Sequence, residues 1–287
     1  MTSQWFYPGQ PEFYNCGLDG VKYFNEKFIE RKEAYLVSPT DQYSDKIAEM
    51  KTNGFVKFEQ VIDHDILDSI NDKVSFCIKN QTNLKGFDEH YATVADPFLV
   101  SNETQKLAFS ELLVGYATEF FECMPAIGTF NLRRSFLNNL PPKTTQLFHR
   151  DKNSVKFFKF FIYLNDVNSP EDGPLTIVRD SWNKMPTNHQ YKHRWSEEEI
   201  KNTYGEDSIM YLTAKKGDLV TGFTTSFHRG TKPVRKERTM LTLNYVIHPE
   251  LLAGQPKTQA ELFKIKQEQY DNLPDHKKPV ADFLIKV

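Results

Sequence analysis

The residues of this chain best suited to chemistry are His149-Arg150-Asp151, then His228, then Arg238. Two imidazoles and one carboxylate make the ligand set of non-haem Fe(II) oxygenases, which leaves coordination positions open. In an extended strand, residues i and i+2 point to the same side. His149 and Asp151 could therefore reach one metal from a strand end and the turn after it. His228 must come from another strand, so a long separation is expected. An arginine ten residues past the second histidine could bind the carboxylate of an acidic cosubstrate such as 2-oxoglutarate.

Competing patterns carry less. A second triplet, His248-Pro249-Glu250, has only His276 downstream and no arginine after it. His-Arg-Asp also opens the protein-kinase catalytic loop. That loop requires Asn where Lys156 stands, and the chain has no glycine-rich phosphate loop and no Asp-Phe-Gly triplet. His189 and His193 would share a metal only on a helix. Their surroundings lack helix character and read as exposed.

The elements that position these residues come from a chain of ordinary globular composition. It has 287 residues, 39% hydrophobic and 26% charged, which suffices for a sizeable core. The 23 Phe and 13 Tyr favour strands and large packed pockets. The formal charge of −2 points to neither nucleic acid nor an anionic membrane as partner. Cys16, Cys77 and Cys123 form no Cys-x-x-Cys pair and no even-numbered framework, so a reduced, cytoplasmic state is expected. Met1 to Gln10 shows no secretory signal, and no run approaches the length of a membrane span.

Residues 1–47, aromatic and polar with Pro8, Pro11 and Pro39, read as a wrapping arm. Gly54 to Phe58 predicts a strand, and Asp63 to Val74 a helix with Asp63 as N-cap. Gln105 to Cys123 predicts one further helix, ended by Pro125. From Phe130 onward the texture is short β-runs: Phe130–Leu137, Phe157–Leu164, Pro174–Val178, Asp218–Phe223 and Met240–Val246. Lys159 interrupts the densest of them. Residues 180–210 form a polar, aromatic insertion carrying Trp182 and Trp195, with Ser196 capping a short helix. A final helix is expected after Pro256. Helices followed by many short strands argue for one α+β domain with an antiparallel core.

In these segments the chain resembles the phytanoyl-CoA dioxygenase-like branch of the Fe(II)/2-oxoglutarate oxygenases. The resemblance runs over roughly residues 50–248: Asn53-Gly54-Phe55-Val56, His149-Arg150-Asp151, Tyr163 to Val167, Glu171 to Leu175, Lys216 to Val220, His228-Arg229-Gly230, Arg238 and Asn244-Tyr245. It implies a double-stranded β-helix, a jelly-roll or cupin-like core with flanking N-terminal and C-terminal helices. It also implies Fe(II) on His149, Asp151 and His228, 2-oxoglutarate on Arg238, and O2 as the oxidant. A polar side chain near the strand before His-x-Asp often assists the cosubstrate, and Asn138 is the candidate, with Asn139 close behind. Two departures stand out. Arg179-Asp180-Ser181-Trp182 replaces the family's Pro-Gly-Ser-His-like turn, and Gly230 stands where the family often has Ser.

The expectation is a hydroxylase of a small organic substrate, releasing succinate and CO2. Related halogenases replace the carboxylate ligand with a small residue, so Asp151 argues for oxygenation. A cupin-like metalloenzyme that does not use 2-oxoglutarate, or a silent jelly-roll binding protein, are the alternatives. Arg133 and Arg134 are adjacent, so one must face inward from a regular strand. Arg134 and Trp182 are candidates for substrate or lid contacts. The expected organisation is an arm over 1–47, an oxygenase domain over 48–250 with a lid-like insertion at 180–210, and a helical extension over 251–287.

Overall fold

The computed structural model describes residues 26, 29–38, 40–151, 156–182, 184, 193–248 and 263–287. Strands β1 (Phe55–Phe58), β2 (Leu84–Phe87), β3 (Tyr91–Val94), β4 (Ala126–Ser135) and β5 (Phe157–Tyr163) come first. β6 (Leu175–Val178), β7 (Ile209–Leu212), β8 (Leu219–Gly222), β9 (His228–Gly230) and β10 (Arg238–Val246) follow. The larger sheet has the order β1-β8-β5-β10-β4-β3-β2, and the smaller β7-β6-β9. A bridge between His149 and His228 extends the smaller sheet beyond β9.

The period-2 pattern of the central strands explains why two layers form on the larger sheet. Phe158, Phe160 and Ile162 of β5 share one core with Leu241, Leu243 and Tyr245 of β10. The helices 64–80 and 111–121 cover that face with Leu67, Ile70, Val74, Leu113, Tyr116 and Phe120. Burying each such side chain stabilises by about 1.5–3 kcal/mol. The alternate residues Phe161, Tyr163 and Val220 pack instead against Leu175, Ile177 and Leu212 of the smaller sheet. The chain passes between the two sheets from β4 to residues 148–149, β5, β6–β7, β8, β9 and β10. That alternation is the double-stranded β-helix, the expected fold.

The helix predicted from Asp63 runs His64–Asn80, and the Asp63 carboxylate accepts from the Asp65 N–H. The single helix expected over Gln105 to Cys123 is two, Asn102–Ala108 and Glu111–Phe121. Ser110 is the reason: its hydroxyl accepts from the Leu113 N–H and starts a new helix instead of continuing the old one. Strands β2, β3 and β7 are not expected from the sequence; each is four residues long, too short to display a period. β9 is the further strand on which His228 was expected.

Most of the 1–47 arm lies outside the described residues. In its described part, the buried Arg31 pairs with Asp282 at 2.8 Å and so ties this part of the arm to the 263–287 segment. The helix expected after Pro256 falls largely on residues 249–262, also outside the described residues; Gln267–Asp271 is helical. Phe263, Ile265, Leu273, Val280 and Leu284 join the main core. Among the described residues no helix is long and apolar enough to cross a membrane.

Candidate metal and cosubstrate site

Strand pairing brings the three separated ligand residues together. His149 and His228 exchange both backbone hydrogen bonds, each 2.9 Å, and the Asp151 N–H donates to Thr224 O at 2.8 Å. One ligand atom from each of His149, Asp151 and His228 lies within 4.8 Å of the others. Asp151 approaches His149 Nε2 at 3.8 Å and His228 Nε2 at 3.3 Å. Arg150, between two inward residues, projects away and donates to Thr225 O.

Both imidazoles are oriented by the backbone. Nδ1 of His149 lies 2.9 Å from Leu147 O, and Nδ1 of His228 lies 3.0 Å from Ser226 O. A proton on each Nδ1 leaves each Nε2 lone pair free for a metal. Burial, with repulsion from His228, pushes His149 down to about 3, so its ring is neutral. Burial alone would raise the Asp151 carboxyl. Lys159, His228 and His149 together hold it well below the usual range. Nζ of Lys159 stands 2.6 Å from Asp151 Oδ2. Two imidazoles and an ionised carboxylate converging on one point fit a divalent transition metal.

A cavity of about 290 Å³ opens between the sheets at this point, lined by the triad and by Arg238. Tyr91, Asn131, Arg133, Ser135, Thr145, Lys159, Phe161, Leu175, Met240 and Thr242 also line it. Arg238, at the start of β10, is 5% exposed. Its Nη1 donates to Gly173 O, and its Nη2 to Ser135 Oγ at 3.1 Å. Its Nε is buried without an acceptor among the described residues. Burial lowers its pKa to about 10, which still leaves the guanidinium charged near neutral pH. A buried guanidinium facing a cavity with a donor to spare is what a carboxylate ligand would satisfy.

Other expected site residues go elsewhere. Asn138 is a correction: it does not line the cavity. Its side chain donates to Glu89 O at 2.8 Å and accepts from the Leu140 N–H, so it fastens the turn after β4. Arg134 is a second correction. It lies on the helix side of β4, bonded to Asn71, Ser75 and Thr239. Alternation makes Arg133 the inward member of the pair. Trp182 is a third: it is buried beside Phe223 and packs over Gly54, away from the cavity. Trp195 and Ile200 pack with Phe148, Val178 and Phe227 on the side of the smaller sheet turned away from His149 and His228. The described part of the 180–210 insertion therefore covers the back of that sheet; residues 183 and 185–192, including His189, lie outside the described residues.

Sequence reasoning left open which of Arg133 and Arg134 faces inward, and it missed Lys159 and Ser135 as cavity residues. Lys159 had a signal, a lone cation inside an apolar strand. Ser135 had none, because only the register that sets it opposite Arg238 reveals its role. The hydroxyl beside the guanidinium thus comes from β4, where Gly230 provides none.

No family model matches the chain, and no curated protein matches it. Solved structures do. HygX from Streptomyces hygroscopicus, with nickel and 2-oxoglutarate bound, is similar at 14% identity and TM-score 0.55, over 70% of this chain and 85% of that one. The epimerase SnoN, in complex with Fe3+, alpha ketoglutarate and nogalamycin RO, is similar at 15% identity and TM-score 0.55, over 71% and 82%. AviO1 from Streptomyces viridochromogenes Tue57 is similar at 15% identity and TM-score 0.52, over 73% and 96%. At these identities the likeness establishes the fold.

Proposed function

We propose that this chain is an Fe(II)- and 2-oxoglutarate-dependent dioxygenase that oxidises a small organic substrate. The observation that carries the reading is the convergence of His149 Nε2, His228 Nε2 and the Asp151 carboxylate on one face of a cavity that also holds buried Arg238. Likeness to proteins whose structures hold 2-oxoglutarate with nickel or iron supports it.

His149, Asp151 and His228 would hold the metal, which when bound supplies O2 activation coupled to oxidative decarboxylation of 2-oxoglutarate to succinate and CO2. Leu147 O and Ser226 O keep the two imidazoles in the ligating tautomer. Lys159 keeps Asp151 ionised and fixes its orientation. Arg238 binds the distal carboxylate of the cosubstrate, with Ser135 steering its guanidinium. Phe161, Leu175 and Met240 wall the cavity and exclude water from the reacting groups. Cys77 and Cys123 are buried free thiols, which suits a cytoplasmic protein.

Anaerobic addition of Fe(II) and 2-oxoglutarate should give a weak visible charge-transfer band in the wild type. His149→Ala and His228→Ala should lack it, because two ligands are too few to hold a labile cation against water. A wild type without the band, holding tightly bound Zn(II) instead, would refute the proposal.

A further inference from the structure

Among the cavity-lining residues, Arg133, Lys159 and Arg238 are cations and Asp151 is the one carboxylate. A divalent metal and the 2-oxoglutarate dianion sum to zero, so the loaded cavity stays net positive, and the pairing of each side-chain cation shows which one lacks a partner. Lys159 is matched by Asp151 at 2.6 Å. Arg238 is matched by the distal carboxylate in the function proposed above, on which this inference rests. Arg133 is the cation left over. No carboxylate stands within 4 Å of it among the described residues, and its neighbour Asp88 is engaged by Lys143 at 2.8 Å.

Arg133 is nevertheless held in place. Its Nε donates to Thr93 Oγ1 at 3.0 Å and its Nη1 to Thr145 Oγ1 at 3.1 Å. Its guanidinium lies 4.2 Å from the centroid of the Tyr91 ring. Two neutral hydroxyls and an aromatic face orient the group without neutralising it. Nη2 has no acceptor among the described residues. On β4, Arg133 stands opposite Met240, one inward step from the Ser135–Arg238 pair, so two guanidiniums border one cavity. Like charges are brought this close at a cost unless anions separate them, and the cosubstrate supplies only one distal carboxylate.

We infer that Arg133 is the substrate anchor and that the substrate of this enzyme is a small organic acid whose carboxylate pairs with it. The planar guanidinium matches a carboxylate in bidentate fashion. The cavity of about 290 Å³, shared with the cosubstrate, favours an acid of few carbons. Anchoring one end by charge fixes which carbon faces the metal.

The test uses the full chain loaded with Zn(II) and 2-oxoglutarate, so that no turnover occurs. The probes are straight-chain carboxylates of three to eight carbons and their matched primary amides, with binding read by saturation-transfer NMR. Acids should bind at least tenfold more tightly than their amides in the wild type, a comparison that needs no variant. Arg133→Met should abolish that preference while changing the 2-oxoglutarate dissociation constant less than threefold, and Arg133→Lys should retain part of it. Equal binding of acids and amides, no binding of any acid, or a tenfold loss of 2-oxoglutarate affinity in Arg133→Met would overturn the inference. The last result would make Arg133 a cosubstrate residue. A wild type that gives no Fe(II)–2-oxoglutarate band fails the parent proposal instead, and that is measured first on the same preparation.

Discussion

Replacing Arg238 by alanine separates the cosubstrate role from a structural one. The guanidinium is 5% exposed and faces the cavity from the start of β10. Truncating one partner of a desolvated charge pair costs about 2–5 kcal/mol, mostly because the other charge is left unmatched. At about 1.4 kcal/mol per factor of ten, the 2-oxoglutarate dissociation constant should rise roughly 30-fold to a few thousand-fold. The unliganded protein should respond differently. It loses donors to Gly173 O and Ser135 Oγ, but it also sheds a buried cation whose Nε has no acceptor among the described residues. These effects offset one another, so Tm should move by less than about 2 °C, equivalent to roughly 1 kcal/mol. Titration of the anaerobic Fe(II) protein with 2-oxoglutarate, followed by the visible band, measures the first quantity; a thermal melt without ligands measures the second. A cosubstrate dissociation constant within threefold of wild type would move the anchor away from Arg238. A collapse in Tm would make the residue structural.

Further outcomes follow from other contacts. Asp151→Gly should abolish coupled turnover yet keep some metal and cosubstrate binding, because it opens a coordination position and leaves both imidazoles in place; unchanged turnover would remove Asp151 from the ligand set. Arg235 grips the wholly buried Asp172 through two bonds of 2.7 Å and, with further backbone and lysine contacts, holds its carboxyl down at about 2. A depressed carboxylate pKa stabilises the fold above its unfolded value of 3.8, and that contribution is lost as pH falls from there toward about 2. Arg235→Ala should therefore lower Tm at neutral pH and flatten its acid dependence, with 2-oxoglutarate affinity unchanged; an acid profile identical to wild type would contradict this. Gly54 has φ +83°, and a Cβ there would sit 2.4 Å from the Trp182 ring. Gly54→Ala should cost at least about 1–2 kcal/mol from the left-handed backbone alone, seen as a lower Tm with the Fe(II)–2-oxoglutarate band retained; an unchanged Tm would contradict both the backbone cost and the close approach of Trp182.

Much of this was legible in the linear chain. Residue type and i, i+2 spacing singled out His149 and Asp151, and alternation required one of Arg133 and Arg134 to face inward. Local chemistry also placed the Asp63 and Ser196 caps, because a capping side chain bonds within three residues of itself. The long β-runs were visible because a period of two repeats several times within them.

What the tertiary structure decided is what depends on register and on which face a residue takes. The choice between Arg133 and Arg134 turns on a half-period that adjacent identical side chains cannot reveal. Asn138 had a suitable side chain, but its bond to Glu89 O turns it into the loop after β4. Trp182 lies near the site in sequence, yet it is drawn to the opposite side by the bare backbone of Gly54, 128 residues earlier. Ser135 reaches Arg238 across 103 residues solely because β4 and β10 pair in one register. Lys159 meets Asp151, eight residues earlier, in a pairing that no period of the sequence encodes. Chemistry of this kind resides in through-space distances of 3 Å or so. The sequence specifies those distances only through the packing of the whole chain.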